Sequence, residues 1–233
     1  MGEKILDKKS IIFIIIYAII LLCDLICSST PSFLDLRLYT KPAIISSLII
    51  FFLGYKRKLP VSVFWMMIMA LVFSLFGDIL LLFTNKSQLF FIMGLVMFLF
   101  AHVMYIIVFF KNRDNQNKGW YFTIFTIAYG FGLFYILYPG LGEMLIPVIV
   151  YMLIILLMSN ASFMRSKNVS KISYVLVFIG SLFFMLSDSL LAINMFYKKI
   201  PLAHIWVMTT YATAQLLIVY GILTQKEPVI QEK

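Results

Sequence analysis

Long apolar stretches separated by short charged or polar segments run the whole length of the chain. They lie near residues 11–27, 40–55, 61–83, 89–110, 119–137, 144–164, 171–194 and 201–224. Each is close to the ~20 residues that a helix needs to cross the hydrocarbon core of a bilayer. Hydrophobicity within them is continuous rather than alternating, so they read as membrane helices and not as strands of a barrel. The connections are short, and neighbouring helices should pack antiparallel. The expected fold is all-α: a polytopic membrane bundle of eight transmembrane helices forming one membrane domain over residues 1–233.

Composition strengthens this pattern. Apolar residues make up 63% of the chain and charged residues only 12%, against roughly a quarter charged in ordinary soluble domains. A net charge of +9 would suit a nucleic-acid partner, but the Lys and Arg residues sit in short clusters between apolar runs. That is the arrangement of topology signals and lipid head-group contacts, and no nucleic-acid partner is expected. With the N-terminus inside, the inner segments carry Lys4, Lys8, Lys9, Lys56, Arg57, Lys58, Lys111, Arg113, Lys118, Arg165, Lys167, Lys171, Lys226 and Lys233. The outer segments carry Arg37, Lys41, Lys86, Lys198 and Lys199. Fourteen positive charges against five predict both termini inside and an even number of spans. Trp65 and Trp120 fall near inner helix ends and Trp206 near an outer one. The first apolar run lacks a small-x-small cleavage site and is expected to remain as a span. Cys23 and Cys27, four apart in that run, read as small packing residues.

A weak internal repeat is visible. Ser74-Leu75-Phe76-Gly77-Asp78-Ile79-Leu80-Leu81 matches Phe184-Met185-Leu186-Ser187-Asp188-Ser189-Leu190-Leu191 at an offset of 110 residues. Four helices fit in that offset, so helices 1–4 and 5–8 would be parallel repeats about an axis normal to the membrane. Such an axis would bring Asp78 and Asp188 together near the bundle centre.

Ionisable residues inside spans are the sharpest chemical signal, because each costs several kcal/mol to insert. Asp24, Asp78 and Asp188 fall in helices 1, 3 and 7, all within ~10 Å of the outer boundary at 1.5 Å per residue. Lys41 and His204 open helices 2 and 8 at the same level, and Tyr151 reaches it from helix 6. A deeper layer holds His102, Tyr105, Tyr211 and Gln215, with His102 too far in to touch Asp78. The bland alternative is structural glue: a membrane carboxylate satisfied by Lys41 or a neighbouring helix. It is weightier for Asp24 and His102 than for Asp78 and Asp188, which are flanked by the small residues Ser74, Gly77 and Ser187. Two separated histidines give no metal-ligand spacing, so neither metal nor cofactor is expected. The chain has no GxSxG, HExxH, P-loop or GxGxxG motif.

The carboxylates and their flanks resemble the lysoplasmalogenase-like (YhhN) family of membrane proteins. The matching pieces are Lys41-Pro42, Ser74 to Leu81, Gly94-Leu95, Phe98, Ala101-His102, Tyr105, Tyr151, Met158, Ala161, Ser187-Asp188 with Leu190-Leu191, and Tyr211 with Gln215. They cover most of the chain in order; Ser187 departs from the Gly at position 77. The resemblance implies an eight-helix bundle that cleaves the vinyl-ether bond of lysoplasmalogens to a fatty aldehyde and a glycerophospho-alcohol. It also implies that Asp78 and Asp188 are the catalytic pair and that the partner is a lysophospholipid in the bilayer.

The chemistry suits the residues. A vinyl ether resists nucleophiles but reacts with acid. Protonation at its β-carbon gives an oxocarbenium ion that water captures as a hemiacetal, which then collapses. One carboxylic acid and one carboxylate can do this, as the paired carboxylates of glycosidases do around a related transition state. Burial and a neighbouring carboxylate both favour keeping one acid protonated near neutral pH. Lys41 and the outer polar rim would hold the phosphate. The competing reading is a proton-coupled carrier or lipid-binding protein without hydrolysis, or a structural membrane protein. The expected location is a bacterial inner membrane with the site toward its outer side. Oligomeric state is left open.

Overall fold

In a computed structural model, residues 8–55, 59–114, 116 and 119–225 are described. Lys4, Lys56, Arg57, Lys58, Lys118, Lys226 and Lys233 of the inner charge set lie outside them. Among the described residues the chain forms α1 (Lys8–Ser29), α2 (Arg37–Leu53), α3 (Val61–Leu81), α4 (Gln88–Lys111), α5 (Trp120–Leu141), α6 (Leu145–Phe163), α7 (Lys171–Phe196) and α8 (Ala203–Leu223). Short 3₁₀ turns at Pro31–Leu36 and Gly142–Met144 precede α2 and α6.

Seven continuous helical stretches are long and apolar enough to cross a membrane, one of them the 44 residues Trp120–Phe163. That stretch folds back on itself. Gly142 adopts φ +48°, a left-handed value that glycine takes without steric cost. Beyond it α6 returns along α5: Thr123 donates to Asn160 at 2.8 Å, and Asn160 donates to Thr126 at 2.8 Å.

Side-chain patterning separates lipid from interior. On α1, Ile11, Ile15, Ile19, Leu22 and Ile26 are exposed at helical spacing, whereas Ser10, Tyr17 and Asp24, seven apart, are buried. Two turns per seven residues put those three on one seam, where Tyr17 donates to the Ala212 carbonyl of α8 at 2.9 Å. The most extensive helix–helix contacts join α7 to α8 and α3 to α4. At Gly180 a Cβ would lie 2.9 Å from Ile218 and 3.1 Å from the Ala214 carbonyl. With no apolar driving force between helices in lipid, such close backbone approach supplies the packing energy. Ser87 and Ser170 cap α4 and α7, accepting from Leu89 N and Ser173 N.

The helix boundaries differ from expectation by three residues or more at three places. α2 begins at Arg37 rather than 40, and α1 at Lys8 rather than 11. α5 continues to Leu141 rather than stopping at 137, carrying Pro139 inside it. Pro139 and Gly140 read as a stop, yet Gly140 sits directly against the Phe196 backbone, and docking onto α7 holds the last turn in place. Two charges counted with the outer segments are paired with aspartates: Lys41 is buried beside Asp78, and Arg37 pairs with Asp24. At the other end Arg165 is fully buried, with its guanidinium over the Phe109 ring and hydrogen bonds to Ser173 and Gln225.

Candidate active site

α3 carries Asp78 in its last turn and α7 carries Asp188 a little over two turns before its end, and both aspartates line one cavity of about 250 Å³. Lys41 of α2, Tyr151 of α6, and His204 and Tyr211 of α8 line it with them. Leu95, Phe98, Val148, Leu191 and Met208 are among the apolar residues that complete the lining. Apolar surroundings with a few converging polar groups are what a small-molecule site requires.

The two carboxylates have different neighbours. Asp78 is 2% exposed. Its Oδ1 lies 3.4 Å from Lys41 Nζ, and its Oδ2 accepts from Tyr211 at 2.8 Å. A second row fixes these partners. Gln215 donates to Ser74 at 3.0 Å and, more weakly, to Tyr211 at 3.4 Å, while Tyr105 donates to Gln215 Oε1 at 2.6 Å. Asp188 is 17% exposed on its side chain. Its Oδ2 accepts from Tyr151 at 2.5 Å and lies 3.9 Å from His102 Nε2. No cation pairs with Asp188 among the described residues other than that histidine, were it protonated.

Small residues admit this arrangement. A Cβ at Gly77 would come within 2.6 Å of the Phe98 ring, so glycine beside Asp78 lets α4 press its phenylalanine against α3. Ser187, beside Asp188, instead donates to the Val207 carbonyl at 3.0 Å and also lines the cavity.

The two expected polar layers meet in two clusters, one on each aspartate: Tyr211, Gln215 and Tyr105 behind Asp78, and His102 beside Asp188. His102, expected in the deeper layer and too far in to touch Asp78, lies with its Nε2 3.9 Å from Asp188 Oδ2. Helical side chains lean toward the helix N-terminus. α4 and α7 run in opposite directions, so His102 and Asp188 lean toward each other and close the gap. The same geometry joins Tyr211 to Asp78. His102, Tyr105 and Gln215 stand behind the cavity lining rather than in it.

Asp24 also stands outside the lining. It accepts from Thr40 at 2.8 Å and lies 3.7 Å from Arg37 Nε. Arg37 itself lines the cavity and was missed as a site residue. With helix 2 starting at 40 it fell in a loop; with the start at 37 it lies one turn before Lys41, on the same face. His204 lines the cavity and is bonded to Ser29 at 3.0 Å. Among the described residues no three His, Cys, Asp or Glu side chains converge in a set that could hold a metal.

The class is an integral membrane helix bundle with two aspartates on one cavity between its helices. Residues 36–222 match the model of the YhhN family, and the chain belongs to that family. It is 29% identical over 164 residues to lysoplasmalogenase TMEM86A of Bos taurus, covering 68% of this chain and 65% of that protein. It is 30% identical over 169 residues to lysoplasmalogenase TMEM86B of Homo sapiens, covering 68% and 64%, and 30% identical over 164 residues to human lysoplasmalogenase TMEM86A, covering 68% and 65%. The matches thus span just under two thirds of these relatives. No solved structure matches the chain.

Proposed function

We propose that this protein is a lysoplasmalogenase-like hydrolase, cleaving the vinyl-ether bond of a lysoplasmenyl-ethanolamine or -choline to a fatty aldehyde and a glycerophospho-alcohol. The observation that carries this reading is the pair of aspartates on one cavity with unlike partners, Asp78 beside a cation and Asp188 beside a hydroxyl. The names of the mammalian relatives point to the same reaction.

Asp188 donates its proton to the β-carbon of the vinyl ether, and the carbon bonded to oxygen becomes an oxocarbenium ion. The two carboxylates then flank a cation, which their charge stabilises. Asp78, held ionic by the Lys41 ammonium, takes a proton from the water that adds to that carbon. The hemiacetal collapses as Asp78 returns this proton to the departing glycerol oxygen and the hemiacetal hydroxyl reprotonates Asp188. The sum is vinyl ether plus water to aldehyde plus alcohol, with both aspartates restored. Tyr151 and Tyr211 orient the carboxyl groups from the side.

The lipid phosphate is assigned to Arg37, Lys41 and His204, which line the cavity from α2 and α8. The alkenyl chain lies along Phe98, Leu191 and their apolar neighbours. A parallel repeat of four plus four helices accounts for one regularity: Lys41 and Tyr151 are 110 residues apart, like Asp78 and Asp188, and each contacts the aspartate of its own half. With Lys41 and Arg37 discounted as topology charges, the positive-inside bias favours both termini inside and the cavity toward the outer face, in a bacterial inner membrane.

Substrate comparison tests the reaction class. The purified protein should release aldehyde from a 1-alkenyl lysophospholipid and leave the saturated 1-alkyl analogue intact. Cleavage of neither, by folded protein, would overturn the assignment.

A further inference from the structure

His102 has no assigned role in that chemistry beyond its place near the site. Its Nδ1 lies 2.5 Å from the Phe98 carbonyl, one turn back on α4. A carbonyl only accepts, so Nδ1 carries hydrogen, and in the neutral ring the lone pair belongs to Nε2. Among the described residues Nε2 has no hydrogen-bond partner, and the residue is fully buried, at 0% exposure. It faces Asp188 Oδ2 at 3.9 Å. The ring is gripped edge-on by Tyr151, with centroids 5.4 Å apart at 90°, and by Phe184, at 4.6 Å and 72°. Among the described residues, Asp188 from α7 and Tyr151 from α6 are therefore the titratable groups that face it.

A lone pair that faces a carboxylate oxygen at 3.9 Å is repulsive. One proton placed on the pair removes the repulsion. We infer that His102 and Asp188 hold a single proton between them, resident on Asp188, and that His102 is a positioning residue keeping this acid loaded. The inference rests on Asp188 as the proton donor of the proposed reaction. When Asp188 gives its proton to the substrate carbon, its new charge faces the Nε2 lone pair. That arrangement drives the return of the hemiacetal proton to Asp188 and completes the cycle. His102 does not line the cavity, so it acts through Asp188 and not on the lipid.

Two measurements decide. The infrared spectrum of the wild-type protein in lipid bilayers should contain the carbonyl stretch of a protonated carboxyl group that is lost in Asp188→Asn and kept in Asp78→Asn. Absence of that loss overturns the inference. No substrate is needed, so this arm stands or falls apart from the vinyl-ether assignment. His102→Phe keeps the ring contacts and deletes Nε2. It should lower kcat about tenfold with KM nearly unchanged, and should enlarge the solvent deuterium isotope effect on kcat as reloading becomes limiting. A folded His102→Phe with wild-type kcat and isotope effect would contradict it. If that variant does not fold, the infrared difference alone decides.

Discussion

The Tyr151 hydroxyl donates a 2.5 Å hydrogen bond to Oδ2 of Asp188, on the cavity where Lys41 meets Asp78 as an ion pair at 3.4 Å. Removing that hydroxyl is a conservative probe of the acid. Tyr151→Phe should keep the ring against His102 and lower kcat about tenfold, the value of one hydrogen bond of ~1.5 kcal/mol. Steady-state kinetics on the folded variant check this, and an unchanged kcat would remove Tyr151 from the mechanism.

The Lys41–Asp78 pair is buried on both sides. Breaking such a pair by deleting one partner leaves an uncompensated charge and costs about 3–5 kcal/mol. Lys41→Met should therefore lower thermal stability in detergent by a large margin. Adding Asp78→Asn to it should recover most of the loss, because the orphaned charge is gone. A double variant as unstable as Lys41→Met would show that the lysine stem, not the charge pairing, is what matters.

Arg37 and Asp24 separate binding from architecture. Arg37 lines the cavity and Asp24 holds it from behind, with Thr40 on the same carboxylate oxygen. Arg37→Gln should raise KM for a phosphate-bearing lipid by about tenfold while kcat changes little, the signature of lost ground-state binding. Asp24→Asn, which keeps an oxygen for Thr40, should have a smaller effect in the same direction.

Gly77 is a packing position with a functional neighbour. Gly77→Val would drive its side chain into the Phe98 ring, and overpacking of this kind costs about 1–3 kcal/mol. Because Asp78 follows directly on α3, activity should fall further than stability. Thermal unfolding beside kinetics tests it; a variant with wild-type values for both would contradict the packing account.

Much of this site is legible in the sequence because charge in an apolar run has few innocent explanations. Asp78 and Asp188 stand out on that ground, and the structure places them on one cavity. Arg37 was hidden because a basic residue at a helix start looks like a topology signal; only the true start of α2 puts it one turn from Lys41. The contact between His102 and Asp188 was hidden because counting residues along helices locates Cα atoms, while side chains on antiparallel helices lean toward each other. The end of α5 was misplaced because Pro139 and Gly140 usually stop a helix, and only docking against Phe196 carries α5 past them. The weak match around the two aspartates gave no hint that Lys41 and Tyr151 share their 110-residue spacing, since those residues have unlike chemistry.

The most direct test of the central claim is aldehyde release from lysoplasmenyl-ethanolamine and -choline by purified protein, beside Asp78→Asn and Asp188→Asn. Turnover by the wild type that falls by more than about 10²-fold in each folded variant is the predicted result. Wild-type turnover retained by either variant would contradict the two-aspartate mechanism. No turnover by folded wild-type protein, together with proton-dependent uptake into vesicles, would make it a carrier instead.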